Sequence, residues 1–212
     1  MEIIWYGQSC FRLKTRSACA VTDPCSKEVG YTIPRLRADM ITISHDHPDY
    51  SNCALIQGDA KVINGPGEYE VKGVFVTGIA TGLKKSKGPE RLRNTIYLFD
   101  FDGLTVCHLG VLDHIPSQTQ LQALSDVDIL LIPVGGVTTI NANQAAEMIG
   151  LLEPKIVIPM HYKTKMVKAK LDPVSKFLSE MGLPEPSSLE TLEIDKSNLP
   201  SETQIVVLNH KG

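Results

Sequence analysis

The stretch Ile41-Thr42-Ile43-Ser44-His45-Asp46-His47-Pro48-Asp49-Tyr50 constrains this chain more than any other. Residues 40–44 have strand character and run straight into two histidines spaced i, i+2. Side chains alternate faces in extended chain, so His45 and His47 share a face and Asp46 points away. Pro48 has no N–H and pushes His47 towards extended geometry, which suits neither a ladder nor a helix. Asp49 stands where a helix could begin, a good place for a carboxylate. Two imidazoles at the mouth of a strand, with a carboxylate two residues on, suit a divalent metal of intermediate softness. The plainer alternative is a polar loop.

Bulk properties narrow the classes. The 212 residues fit one larger domain or two very small ones, and are ample for a sizeable core. A formal net charge of −3 with interspersed signs argues against nucleic acid as a partner. The sequence has no apolar run long enough for a membrane span and no signal-like N-terminus, so no membrane association is expected. Five scattered cysteines, never as CxxC, argue for reduced thiols in the cytoplasm.

Read in order, the first half is mostly strands: residues 2–6, 10–13, 18–22, 40–44, 61–64, 68–73 and 74–77. Residues 49–57 are expected to form a short helix. Asp23 closes a strand before Pro24 and either hydrogen-bonds the histidine loop or simply starts a turn. Asp102-Gly103 is a type I′ hairpin signal between strands 95–101 and 104–108. Strand and helix then alternate. Helices are expected over 117–124 (capped by Ser117), 141–152 and 174–181, with buried strands at 128–134 and 155–159. Final strands follow at 189–194 and 204–208. The lysine-rich loop 82–93 reads as solvated chain or as a cover for an anionic substrate. The same pair of readings applies to Lys163, Lys165, Lys168 and Lys170. The pattern fits a mixed α/β sandwich in one domain, residues 1–212.

Of six histidines, His45, His47, His108 and His161 follow predicted strands. Ligand sites gather at strand ends in layered α/β folds, so the shared position points to one site. His114 and His210 read as surface residues, His114 with an option to support the site.

These motifs together resemble the metallo-β-lactamase superfamily, nearest its small bacterial hydrolase branch that includes L-ascorbate-6-phosphate lactonase-like proteins. The residues that carry the likeness are Gly7–Phe11, Thr22-Asp23-Pro24, Ser44–Tyr50, Gly65–Glu70, Cys107–Gly110, Pro133–Gly136 and Ile158–Tyr162. The resemblance implies a four-layer αβ/βα sandwich with metals at one edge of its sheets. It implies a first metal on His45, His47 and His108, and a second on Asp49, the residue after it, and His161. Three departures stand out. Tyr50 occupies the place of the next histidine, Val111 that of a bridging aspartate, and Gln8 a place where relatives commonly have histidine.

The expected function is therefore a metal-dependent hydrolase of a lactone, ester or phosphoester in a small anionic substrate. Its second metal site is damaged, and zinc is expected, with manganese or iron as alternatives. Asp49 would act as general base and His161 as donor to a developing oxyanion or leaving group. Tyr50 would ligate, contact substrate or fill the vacated space, and Asp113 is a candidate to replace the missing carboxylate. The competing expectation is a family member that keeps the fold for binding or scaffolding. Homo-oligomerisation is left open.

Overall fold

The computed structural model describes residues 1–83, 93–184 and 187–212. An antiparallel meander opens the chain: β1 (Glu2–Trp5), β2 (Phe11–Lys14) and β3 (Cys19–Thr22). Short strands β4 (Leu36–Arg37), β5 (Met40–Thr42), β6 (Ile56–Gln57) and β7 (Lys61–Ile63) follow. Next comes a run of β8 (Gly67–Val71), β9 (Val74–Gly82), β10 (Arg93–Phe101) and β11 (Leu104–His108). The rest alternates: α1 (Gln118–Gln122), β12 (Ile129–Pro133), α2 (Ala142–Leu152), β13 (Ile156–Met160) and α3 (Val174–Glu180). Strands β14 (Leu192–Glu193) and β15 (Gln204–Ile205) end it.

Two sheets result, ordered β14-β1-β2-β3-β5-β7 and β15-β13-β12-β11-β10-β9-β8, with β4 and β6 as a separate pair. One apolar cluster joins their inner faces, drawing Trp5, Phe11 and Leu13 from the first sheet and Val106, Leu130 and Val157 from the second. The unbroken apolar runs of β12 and β13 are wholly buried, as parallel strands covered on both faces must be. Ala142, Ala145, Met148 and Ile149 turn the inner stripe of α2 into that core. A second cluster, with Tyr6, Val21, Tyr31, Ile33 and Val167, lies over the other sheet's outer face. Irregular chain before β4 and after β13 supplies that cover. This is the mixed α/β sandwich of the metallo-β-lactamase fold.

Strand directions create one functional edge. β3 runs parallel to β5, and β11, β12 and β13 run parallel to one another, so their C-terminal ends collect there. Hydrogen bonds tie the two sheets at this edge: Thr95 N–H to the Ser44 carbonyl at 2.8 Å, the Tyr97 hydroxyl to the Ile43 carbonyl at 3.0 Å, and His161 N–H to the Gln8 carbonyl at 3.2 Å.

Candidate functional site

The histidine stretch leaves β5 at Thr42 and is fastened from beneath. Asp23, at the end of β3, accepts the Ser44 N–H at 2.7 Å and the Ser44 hydroxyl at 2.6 Å. The hydrogen-bonding alternative for Asp23 is the one realised. Its backbone is left-handed, with φ 39, and the side chain is fully buried. Burial pushes its carboxyl pKa up, against the pull of His108 and the Ser44 donors. Two such short donors favour the carboxylate form.

From that anchor His45 and His47 emerge on one face, as their spacing predicts. Their rings lie parallel, 5.9 Å apart. His45 Nδ1 donates to the Arg93 carbonyl at 3.1 Å, which leaves Nε2 as the lone-pair nitrogen. The exposed His47 accepts the Asp49 N–H on Nδ1 at 3.2 Å, with the Asp49 carboxylate 3.6 Å from the same nitrogen. Asp49 is therefore beside the imidazoles, and Ser26 donates to it at 3.4 Å. No helix begins there. A 3₁₀ turn at Cys53–Leu55 and the start of β6 replace the expected helix, because the loop's N–H groups find nearby acceptors at His47 and Ser51.

His161 arrives from the end of β13 in a left-handed conformation, with φ 53. The chain turns sharply because Gly135 lies against it: a Cβ there would come within 2.0 Å of the His161 carbonyl oxygen. Burial lowers the His161 pKa to about 4, so its ring is neutral at pH 7. The Tyr50 ring spans from the histidine pair to His161, with centroids 6.2 Å from His45, 6.0 Å from His47 and 6.1 Å from His161. Its hydroxyl meets His161 Nε2 at 3.1 Å, and burial raises its pKa far above the usual phenol value.

The remaining sequence candidates have their own partners. His108 is fully buried, edge-on to Phe11, and Nε2 donates to the Ser9 carbonyl at 2.9 Å with the Asp23 carboxylate 3.9 Å away. The same Asp23 carboxylate holds Ser44, so this ring lies one side chain away from the root of the histidine stretch. β11 places this ring beneath the Gly7–Cys10 turn, a contact that its strand-end position could not reveal. Val111 offers only a buried apolar side chain, its N–H bound to Asn94 Oδ1 at 2.9 Å. Asp113 is buried and pairs with His114 at 2.6 Å. His210, expected at the surface, packs against Trp5 and Tyr31. Lys163 is bound to the carbonyls of Val167 and Ala169 and staples its own loop. Loop residues 84–92 lie outside the described residues.

Two buried ring nitrogens, His108 Nδ1 and His161 Nδ1, have no hydrogen-bond partner, nor do Gln8 Oε1 and Ser9 Oγ. Unpaired buried polar atoms of this kind are costly and concentrate where function demands them. Among the described residues, no group of three or more His, Cys, Asp or Glu side chains is arranged to hold a metal ion as it stands.

A family profile for the β-lactamase superfamily domain matches residues 2–161. The chain belongs to that superfamily. Within it, a UPF0173 protein of Pyrococcus abyssi is 32% identical over 187 residues, covering 77% of this chain and 84% of its own length. A UPF0173 metal-dependent hydrolase of Nanoarchaeum equitans is 30% identical over 198 residues, covering 82% and 88%. A crystal structure from Thermotoga maritima, of a candidate Zn-dependent hydrolase of the metallo-β-lactamase superfamily, superposes with a TM-score of 0.82. It is 36% identical and covers 98% of this chain and 97% of that one. Among the described residues, no helix is long and apolar enough to cross a membrane.

Proposed function

We propose that this superfamily member is a metal-dependent hydrolase of a lactone, ester or phosphoester in a small anionic substrate. The observation that carries the reading is the cluster of His45, His47 and Asp49 at a strand end, bridged to His161 by the Tyr50 ring, in a chain whose relatives are named metal-dependent hydrolases. His45 fits a metal site best, since the Arg93 carbonyl fixes the tautomer that leaves Nε2 free. His47, Asp49 and His161 complete a nitrogen and oxygen donor set suited to zinc, with manganese or iron as alternatives. Such an ion, when bound, supplies Lewis-acid polarisation of a carbonyl or phosphoryl oxygen and acidifies water.

The donor set fits one ion rather than two. Val111 contributes no ligand, and the Tyr50 hydroxyl already engages His161 Nε2. In this reading Asp49 takes a proton at its free carboxylate oxygen, and the Tyr50 hydroxyl directs His161 towards the leaving group. His108 remains a further candidate ligand through Nδ1, which has no hydrogen-bond partner, while its Nε2 holds the turn at Ser9. The five cysteines are all free, which supports a reducing, cytoplasmic setting.

The test is metal analysis of purified protein together with an ester, lactone and phosphoester panel. Stoichiometric metal with hydrolysis that His47→Ala abolishes is expected. Unchanged activity in that variant would sink the proposal. The closure of Tyr50 on His161 favours a second reading, a binding or scaffolding protein on the same fold. Activity that appears only after Tyr50→His with Val111→Asp would establish that alternative.

A further inference from the structure

A cleft of about 800 Å³ opens at the opposite end of the first sheet from the histidines. The strands themselves show the separation. β3 begins at Cys19 in the cleft wall and ends beside Asp23, and β5 begins beside Asp39 in the wall and ends towards Ser44. The wall carries Arg12, Lys14, Arg35, Arg37 and Lys72 against two carboxylates, Asp39 and Asp59. Five cations therefore crowd one cleft on a chain whose formal net charge is −3. Asp39, whose Oδ2 accepts the Cys19 N–H at 2.9 Å, and Asp59 together still leave a surplus of three cations in the wall. Arg12 is the least available of the five. One terminal nitrogen is bound to Glu2, and Nε is buried.

We propose that this cleft binds a small molecule bearing a di- or triphosphate group. The guanidinium forks of Arg35 and Arg37, with the ammonium groups of Lys14 and Lys72, match several phosphoryl oxygens at once, which a single carboxylate would leave mostly unpaired. The volume lies within the ordinary range for small-molecule sites, roughly 300–1,000 Å³, and exceeds the need of a lone phosphate. Among the described residues the wall has no aromatic side chain, so it lacks the stacking platform that single-stranded nucleic acid uses.

The test is titration calorimetry of the chelator-treated full chain with inorganic tripolyphosphate at low salt. Saturable binding is expected, weakened by at least about tenfold in Arg35→Gln/Arg37→Gln and retained in His45→Ala/His47→Ala. Thermal melts confirm that each variant is folded, and Lys14→Gln/Lys72→Gln serves as a second pair if the arginine pair is not. No binding to the wild-type chain overturns the proposal, as does binding that the cleft variants leave intact or that the histidine variants abolish. A single-stranded RNA oligonucleotide binding about tenfold tighter than tripolyphosphate would also overturn it, in favour of nucleic acid.

Discussion

The Tyr50 hydroxyl lies 3.1 Å from His161 Nε2, closing the space between the histidine stretch and the last histidine of the site. Both groups are neutral at pH 7, because burial raises the phenol pKa and lowers that of the imidazole to about 4. The contact is thus a neutral hydrogen bond, worth about 1 kcal/mol net. A metal at His161 must compete with it.

That competition sets the first prediction. Wild-type protein reconstituted with zinc should retain at most one ion per chain through desalting. Tyr50→His with Val111→Asp removes the competing hydroxyl and adds an anion where an apolar side chain stands, so two ions should be retained. Mass spectrometric metal counting reads both values. Two tight ions in the wild type would show that Tyr50 is no obstacle.

Asp23 should matter to the site without touching it. Replacing it with alanine leaves the Ser44 N–H and hydroxyl without their acceptor, at a cost of about 2–4 kcal/mol in stability. Ser44 precedes His45, so metal affinity should also fall, by about 10–100-fold, as when other supporting partners of ligands are lost. Asp23→Asn keeps one acceptor oxygen and should recover part of both. Denaturant unfolding and competition with a chromogenic chelator measure the two effects. An Asp23→Ala protein with wild-type metal affinity would show that the anchor is merely structural.

Local chemistry explains what could be read before the fold was known. The Asp102-Gly103 hairpin appears with φ 54 and 83, and Ser117 caps α1 through a reciprocal capping box with Gln120. Long-range packing explains the misses. Gly78 looks like a strand breaker, yet β9 continues through it to Gly82. Its missing Cβ would lie 2.7 Å from the Gly65 carbonyl, so the glycine serves a close crossing and not a turn. The strands expected over 189–194 and 204–208 shrink to two residues each. In the site, the spacing of His45 and His47 fixed a shared face correctly. The position of His108 after β11 did not reveal its partners, the Ser9 carbonyl and Phe11, because both come from the distant first sheet and its turn.

Acid should destabilise the chelator-treated protein through its buried histidines. His161 has a folded pKa of about 4 against an ordinary 6.5, and burial lowers that of His108 too. The unfolded chain therefore binds more protons than the folded one between about pH 6.5 and 4. Stability is fully present above pH 6.5 and falls as pH drops towards 4, with His161 alone accounting for about 3 kcal/mol at most. Urea melts at several pH values should show this decline, and His161→Gln should flatten it. An equally steep decline in that variant would assign the effect to other groups.

Gly110 is the tightest packing constraint behind the histidine stretch. Its φ is 61, and a Cβ there would lie 2.4 Å from Asn94 Oδ1 and 2.5 Å from Ser44 Cβ. Neither neighbour can retreat freely. Asn94 Oδ1 accepts the Val111 N–H at 2.9 Å while its amide nitrogen donates to Leu109 and Thr81, and Ser44 is held by Asp23. Gly110→Ala therefore combines left-handed strain with overpacking, and should cost about 2–4 kcal/mol. Because the clash falls on Ser44, the loss should extend to the metal affinity of the His45–His47 pair. Gly150→Ala is the control, since an added Cβ on α2 meets nothing within 4 Å and alanine is the better helix former. Thermal melts of the two variants should move in opposite directions, and only Gly110→Ala should weaken chelator competition.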